Sequence, residues 1–483
     1  MAAPTHPVKP RSQLIAPACA GLVLAGAGLA WWQAARSQAR VAAILPALPD
    51  LAEVPARLRA RVVQADGGAR RWFGATRGLG ELARVYHANG FLDEAARCYA
   101  GLEGLQPGEP LWPHLHATIL AGYGDITPAL ERWQKVRTLA PDYLAAHLRS
   151  GDGLLKSNRP QEAAAAYEAA LRLEPNNPYA LLGLARLDLE AGRWEQARPR
   201  LEQVVNQTNF TLGYDLIVSL YERLGLTQRA TEIRGMAKAS GAYRDPADPW
   251  LNGLIDECLE PYRLSLAAGT IARNGDQPAA RRLLERAVEV APEDVSVIFQ
   301  LGTLLIAQGD RTGALWHLRR CTELAPDFAD GWANLSALQA ALGEKTAAER
   351  TLAEGLRRCP QSPGLHLQYA RNLQQAGRPG EAIAEFQASI RLRPNEPEAY
   401  IELGNLFISQ GRTAEGVAEM ERALLAEPGN PMALEVLAFN AILGGDEDEA
   451  RRRLAAARAQ PRFPREQMQQ LVGAFRKQFG RAP

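Results

Sequence analysis

The chain has 483 residues, enough for several compact domains, and its 55 Lys and Arg residues nearly balance 54 Asp and Glu residues. The net charge of +1 provides no basic field for a polyanion, which argues against nucleic acid as a partner. None of the 5 cysteines is spaced for a metal site, a redox pair or haem attachment, so no cofactor is predicted.

The first predicted element is a transmembrane helix over residues 14–32, which follows an N-terminal tail of residues 1–13. The run LIAPACAGLVLAGAGLAWW carries no charge and is about long enough to cross a bilayer. It ends with Trp31 and Trp32, where an interfacial aromatic belt is expected. Two alternatives stay open: a cleaved signal peptide with a small-residue site near Ser37, and a buried helix of a soluble protein.

The charges that flank this helix indicate its orientation. Lys9, Arg11 and the terminal amine precede it, whereas Arg36 and Arg40 follow it, so the positive-inside rule slightly favours an inward N-terminus. The frequent use of Arg over Lys and of Ala is typical of GC-rich bacterial genomes. We therefore expect a single-pass protein of a bacterial inner membrane, with the rest of the chain in the periplasm.

After residues 33–75, predicted as a linker and possible N-terminal cap, small residues, a glycine and a proline recur at a constant interval. One unit has Gly404, Gly411, Gly416 and Pro428, and the unit before it has Ala370, Gly377, Ala382 and Pro394. A fixed period of this length is the mark of a stacked-repeat architecture. We count about eleven units, about five in a first array over residues 76–244 and about six in a second over residues 261–464.

Apolar spacing within a unit predicts a pair of helices. Leu403, Leu406 and Phe407 have helical spacing, and a second such segment begins at Val417. The glycine between the two segments lets the chain leave the first helix with a positive φ. The small residues let the two helix backbones approach closely, and the proline marks the end of the second helix.

The repeat pattern breaks at residues 245–260, DPADPWLNGLIDECLE. Its Asp-Pro steps favour a turn, and Trp250 with the following apolar residues predicts a short helix. The segment is either a hinge or contact loop laid into a groove, or a plug that covers mismatched surfaces between the arrays, and we favour the plug. Residues 465–483 are predicted as a helix that caps the last apolar face.

This pattern resembles the tetratricopeptide repeat family over residues 76–464. Matching positions include Trp332, Leu335, Gly343, Ala348, Leu352 and Pro360. The resemblance implies an all-α fold, a right-handed superhelix (α-solenoid) of about eleven helix pairs whose first helices line a concave groove. With the N-terminal segment, the predicted fold is this solenoid preceded by one transmembrane helix.

In that family, the sixth and ninth positions of each unit line the groove. In the seventh to tenth units these positions include Gln300, Thr303, Asn334, Gln368, Arg371, Glu402 and Asn405. A row of amides can bond the backbone of an extended peptide without reading its sequence, so we predict a peptide-binding groove here. The alternative is that solvent-facing positions of the first helices are simply polar.

The sequence shows no residue arrangement that is typical of catalysis. His114 and His116 point to different faces of a helix and cannot share a metal, and the other histidines occur singly. Nucleophile-elbow, zinc-protease and phosphate-binding motifs are missing from the sequence. The predicted function is a membrane-anchored scaffold that binds a protein or peptide segment, with no catalysis, metal or small-molecule substrate. The alternative is a non-catalytic accessory subunit of an envelope enzyme or of a secretion or assembly machine.

Overall fold

The computed structural model describes residues 12–208, 210–236, 246–460 and 463–483, and it describes side chains from residue 28 onward, except that of Met236. In these ranges all regular elements are helical and no strand occurs. The chain divides into two compact units, one that ends at Ala291 and one that begins at Pro292.

The described part of the first unit consists of helices and a 3-10 turn at Gly253–Glu257. The helices are α1 (Ser12–Ile44), α2 (Ala56–Ala69), α3 (Ala75–Ala88), α4 (Leu92–Leu105), α5 (Leu111–Tyr123), α6 (Ile126–Leu139), α7 (Leu144–Lys156), α8 (Pro160–Leu173), α9 (Pro178–Glu190), α10 (Trp194–Gln207), α11 (Thr211–Arg223), α12 (Thr227–Met236), α13 (Pro249–Asn252), α14 (Pro261–Arg273) and α15 (Gln277–Val290). Pairs of first and second helices run from α3–α4 to α11–α12, and α14–α15 form one more pair.

The second unit continues with five helix pairs and one final helix in its described residues. These are α16 (Val295–Ala307), α17 (Arg311–Leu324), α18 (Ala329–Ala341), α19 (Lys345–Arg358), α20 (Pro363–Gln375), α21 (Pro379–Leu392), α22 (Pro397–Ser409), α23 (Thr413–Ala426), α24 (Pro431–Leu443), α25 (Glu447–Arg458) and α26 (Arg465–Phe479). Helix α26 packs against α24 and α25 and buries Leu471 and Phe475. The last apolar face of the stack is therefore covered by α26.

The turn residue between the two helices of each pair has a positive φ. The residues are Gly90, Gly124, Asn158, Gly192, Gly225, Gly275, Gly309, Gly343, Gly377, Gly411 and Gly445. Asn158, with φ 55°, takes the place of the glycine, and asparagine tolerates this conformation better than most side chains. The predicted reason for the recurring glycine is confirmed.

Small residues allow close contact between the two helices of a pair. A Cβ atom on Gly416 would lie 2.7 Å from the carbonyl oxygen of Gly404 and 2.5 Å from Cγ1 of Ile408. Ala382, at the same place in an earlier repeat, is fully buried beside Phe386. Packing thus explains the small residues, as the sequence predicted.

Helix α1 contains the apolar run of residues 14–32, but most of this run lies outside the described side chains, as most of the predicted tail lies outside the described residues. Of the helices that the described residues form, none has both the length and the apolar character needed to span a membrane. The later part of α1 packs against α3 and α4 and buries Val41. The transmembrane helix stays a prediction.

Ala382→Leu is expected to lower the free energy of unfolding by about 1–3 kcal/mol, because the fully buried site between α20 and α21 has no room for a larger side chain. Urea denaturation followed by circular dichroism measures the change. The matched control is Ala384→Leu on the exposed face of α21, which should change stability by no more than about 0.5 kcal/mol. Equal effects at both positions would contradict close packing at Ala382.

Candidate binding site on the first helices

In the first unit, residues 246–260, here termed the returning segment, lie against first helices of the repeats. Helix α13 contacts α5, and the 3-10 turn after it contacts α3. Hydrogen bonds from Asn89, His114 and Tyr143 reach the same segment. The chain's own residues therefore cover part of the face that the tetratricopeptide resemblance assigns to the groove.

Asp248 anchors the returning segment through a buried carboxylate. The side chain is 1% exposed, and it accepts hydrogen bonds from Nε2 of His114 at 2.9 Å and from the hydroxyl of Tyr143 at 2.6 Å. Nε of Arg149 lies 3.8 Å from the carboxylate. Burial alone would raise the pKa of Asp248, but the bonds from His114 and Tyr143 outweigh burial and hold the pKa below its ordinary value. The carboxylate is consequently ionised and paired.

Trp250 extends this contact with its indole ring. The ring stacks on Tyr143 with the centroids 3.6 Å apart, and it meets the ring of His114 edge-on at 5.4 Å. The backbone N–H of Trp250 donates to the hydroxyl of Tyr143 at 3.1 Å. A single tyrosine thus holds both the carboxylate and the indole of the Asp-Pro-Trp sequence.

The later part of the returning segment is held by polar bonds to α3 and α2. The amide of Asn89 donates to the carbonyl oxygen of Glu257 at 2.9 Å and accepts from the backbone N–H of Leu259 at 2.6 Å. Arg61 joins the carboxylates of Glu257 and Glu81 at 2.8 and 2.7 Å. The segment is therefore bonded at both of its ends.

Sequence reasoning did not find this contact. It considered His114 only as a metal ligand shared with His116 and rejected that role, whereas the structure buries the side chain completely and places it in hydrogen-bond contact with Asp248. His116 bonds Glu103 at 2.7 Å, so the two histidines point to different faces of α5, as predicted. A polar ring within the apolar stretch LWPHLHATIL was the one signal in the sequence, and it did not identify the partner.

In the second unit, the first helices leave their polar face partly open. The predicted groove residues lie on α16, α18, α20 and α22 and are all half-buried. Helix α18 contacts both α16 and α20, and Arg371 of α20 reaches Glu398 and Glu402 of α22 at 2.6 and 3.0 Å. The predicted residues thus follow one continuous row of first helices.

The residues of this row differ in whether their side chains already form hydrogen bonds within the chain. Thr303 and Asn334 each donate to a backbone carbonyl of their own helix at 2.9 Å. The amide of Gln300 lies 3.5 Å from the hydroxyl of Ser296. Within the described part of the chain, the side chains of Gln368 and Asn405 make no hydrogen bond. The hydrogen-bonding groups of these two amides are therefore not used within the described chain.

Arg371 and Glu402 form an ion pair within the row. Burial would lower the pKa of Arg371, but the hydrogen bonds with Glu398 and Glu402 outweigh it and raise the pKa. The charge of Arg371 is therefore neutralised inside the chain. The row is a series of amides interrupted by the ion pair between Arg371 and Glu402, and it is less uniform than the sequence pattern suggested.

Beyond this ion pair, the row ends at a cleft of about 420 Å³ between α22, α24 and α26. The lining residues are Asn405, Ile408, Glu435, Val436, Phe439, Asn440, Gln470 and Leu471. Val436 has the same place in its repeat as Glu402 has in the preceding one, and the ring of Phe439 is 45% exposed. An apolar surface therefore lies beside the amide of Asn405.

Comparison with known protein families identifies the repeats. One family model described as tetratricopeptide repeat matches residues 154–216 and 373–438, and a second with the same description matches residues 114–178 and 299–363. The chain therefore carries tetratricopeptide repeats in both units, as the sequence pattern predicted.

Individual proteins are similar to parts of the chain. Cellulose synthase operon protein C of Komagataeibacter sucrofermentans is 31% identical over 124 residues, which are 25% of this chain and 8% of the relative. The crystal structure of yeast Tom70 aligns with a TM-score of 0.38 and 15% identity over 83% of this chain and 94% of that one. Pseudomonas aeruginosa pilF aligns with a TM-score of 0.37 and 17% identity over 44% and 96%. The chain spans only a small part of the cellulose synthase operon protein.

Asp248→Ala is expected to destabilise the first unit by about 1–3 kcal/mol, because it leaves the buried Nε2 of His114 without its hydrogen-bond partner. Urea denaturation measures the loss, and limited proteolysis should show faster cleavage within residues 246–260. Asp256→Ala is the matched control, since Asp256 is an exposed acid of the same segment. The proposed anchoring role fails if the two variants are equally stable.

The acid dependence of stability should also depend on Asp248. Because its pKa is lower in the folded chain than its ordinary value, ionised Asp248 stabilises the fold above about pH 4, and this stabilisation is lost as pH falls through the lowered pKa. Asp248→Asn should therefore flatten the decline of the urea midpoint between about pH 5 and pH 3. Asp256→Asn should keep the wild-type slope, and an unchanged slope in Asp248→Asn would contradict the assignment.

Proposed function

We propose that the chain is a membrane-anchored scaffold that binds an extended segment of a protein partner along the first helices of its second unit. The contrast between two surfaces supports this proposal. The returning segment covers first helices of the first unit through the buried Asp248. In the second unit, Gln368 and Asn405 offer half-buried amides, and the row ends at the apolar cleft. The scaffold carries out no reaction itself, in keeping with the usual role of tetratricopeptide repeats.

The amides would bind the backbone of the partner, because each amide both donates and accepts a hydrogen bond. Each such bond contributes only about 0.5–1.5 kcal/mol, so several are needed. An apolar partner side chain in the cleft at Phe439 would add about 1.5–3 kcal/mol if it becomes fully buried. This combination fits reversible capture of a flexible segment.

Charges on the same face favour a basic residue in the partner. Three carboxylates, those of Glu398, Glu402 and Glu435, lie along α22 and α24, and Arg371 faces the first two. A lysine or arginine of the partner near Glu435 would complement this excess of negative charge. Such pairing sets orientation and association rate more than affinity.

The membrane anchor is the apolar run of residues 14–32, which we place as a single pass in a bacterial inner membrane, with the repeats in the periplasm. The length of the run and its lack of charge support this placement. At its end, Trp31 and Trp32 are 58% and 52% exposed, as expected for rings at a bilayer interface.

A second candidate function is a non-catalytic accessory subunit of an envelope enzyme or of a secretion or assembly machine. The 31% identity to cellulose synthase operon protein C over 124 residues favours this candidate. Purification of the full chain from crosslinked cells separates the two functions. One partner in fixed proportion favours the accessory subunit, whereas many partners in small amounts favour the scaffold.

Replacement of both Gln368 and Asn405 by Ala should reduce partner recovery roughly tenfold, since two hydrogen bonds together contribute about 1–3 kcal/mol. Quantitative mass spectrometry after crosslinking in intact cells measures recovery. The melting temperature should stay unchanged, because both side chains are half-buried polar groups on the open face.

Gln387→Ala is the control for this pair, because Gln387 is an exposed amide on the second helix α21. It should leave recovery unchanged. Equal recovery with the double variant and with wild type would mean that the amide row only solvates the first helices.

A further inference from the structure

Four large aromatic side chains are exposed near the start of the first unit. Trp31 and Trp32 belong to α1, and Trp72 and Phe73 lie in the turn before α3. Trp72 and Phe73 are 41% and 65% exposed, and the rings of Trp31 and Trp72 meet with their centroids 5.5 Å apart. These four residues, the aromatic patch, join two elements that are distant in sequence. Apolar surface of this kind usually marks an interaction site.

The aromatic patch is held in place by packing between α1 and the first repeat. Val41 is buried, and Oγ of Ser37 lies 2.9 Å from Oγ1 of Thr76. The side chain of Ile44 packs so closely on Gly101 that a Cβ atom there would lie 2.3 Å from its Cδ1. The turn with Trp72 is therefore fixed at the level of Trp31 along α1.

Arginines surround the aromatic patch. Arg36, Arg70, Arg71 and Arg77 are exposed, and the guanidinium of Arg36 lies over the ring of Trp32 at 5.3 Å. Arg70 is paired with Asp66 at 2.6 Å. Residues 28–44 and 66–77 together contain five arginines and one carboxylate. The patch thus combines exposed indole rings with net positive charge.

This combination matches the headgroup region of an anionic bilayer, where indole rings settle at the interface and arginines attract lipid phosphates. A second copy of the chain is a poor occupant, because the same arginines would repel one another. A soluble acidic peptide would neutralise the positive charge of the patch, but it would leave much of the aromatic surface in water.

We propose that the aromatic patch is a second membrane contact, in which Trp72 and Phe73 enter the headgroup region beside Trp31 and Trp32. This inference rests on the proposed membrane anchor. It adds that the first repeat lies against the bilayer surface, held there by two elements, so that the start of the repeat array has a fixed orientation to the membrane.

Photocrosslinking of the full chain in its native membrane tests the proposal. p-Benzoylphenylalanine replaces Phe73, Trp32 or Tyr123 in separate variants, and lipid adducts are detected by mass spectrometry. Tyr123 is the control, because it is 55% exposed and lies at the end of α5, outside the patch. We expect lipid adducts at positions 32 and 73 and none at position 123.

The other outcomes separate this proposal from the anchor. Adducts at position 32 without any at position 73 would overturn the second contact and leave the anchor intact. A protein adduct at position 73 in place of lipid would also overturn it. Lipid adducts at neither position would reject the anchor and the second contact together, and equal yields at positions 73 and 123 would show unspecific labelling and overturn the contact.

Reconstitution of the full chain tests the role of charge. In bilayers with phosphatidylglycerol, the lipid adduct at position 73 should form several-fold more than in phosphatidylcholine alone. Replacement of Arg71 and Arg77 by Glu should remove most of this gain, while the adduct at position 32 stays constant. Equal yields in the two bilayers would overturn the proposed recognition of anionic lipid.

Discussion

No helix pair of this chain can bury its apolar side alone, so every pair depends on its neighbours. One buried cluster in the first unit joins Ala117, Trp133, Leu148, Tyr167 and Leu184, which come from five consecutive helices. Neighbouring pairs of the second unit also contact each other, and there the final helix α26 covers the last pair. Because the packing uses the faces between pairs, one face of the first helices is not needed for contact with neighbouring pairs. The side chains on that face then determine which partners could bind there.

The features that the sequence predicted well are local and repeated. The turn between paired helices needs a positive φ in each repeat, so its glycine is visible as a period, and Asn158 fits the same rule. The groove residues could be placed on the first helices for the same reason, since the repeat fixes their helical position. Their mutual contacts could not be predicted. The ion pair between Arg371 and Glu402 depends on the distance between neighbouring repeats, which a sequence period does not contain.

The contacts of the returning segment are the part of the structure that the sequence predicted least well. His114 and Asp248 are 134 positions apart, and neither belongs to a recurring pattern that would indicate the other. The Asp-Pro steps showed a break in the repeats, and the structure shows that the chain after the break turns back onto first helices. The favoured prediction was a plug between the arrays. The segment is bonded to Asn89 and Tyr143 of the first array and to Arg286 of the second, so the plug and the contact loop both stay predictions.

The first-helix faces of the two units differ in the free energy that binding of a partner would cost. A partner that displaced the returning segment would remove the hydrogen bonds of His114 and Tyr143 to a buried carboxylate, and each bond to a charged group contributes about 1.5–3 kcal/mol. The partner proposed for the second unit would meet no such cost, because Gln368 and Asn405 have no bonds to break within the described chain and Phe439 is already half exposed. The proposed binding would add hydrogen bonds and bury apolar surface without removing either from the fold. The first helices are therefore covered by the returning segment in the first unit and partly open in the second. This difference follows from which of their polar groups already form hydrogen bonds within the chain.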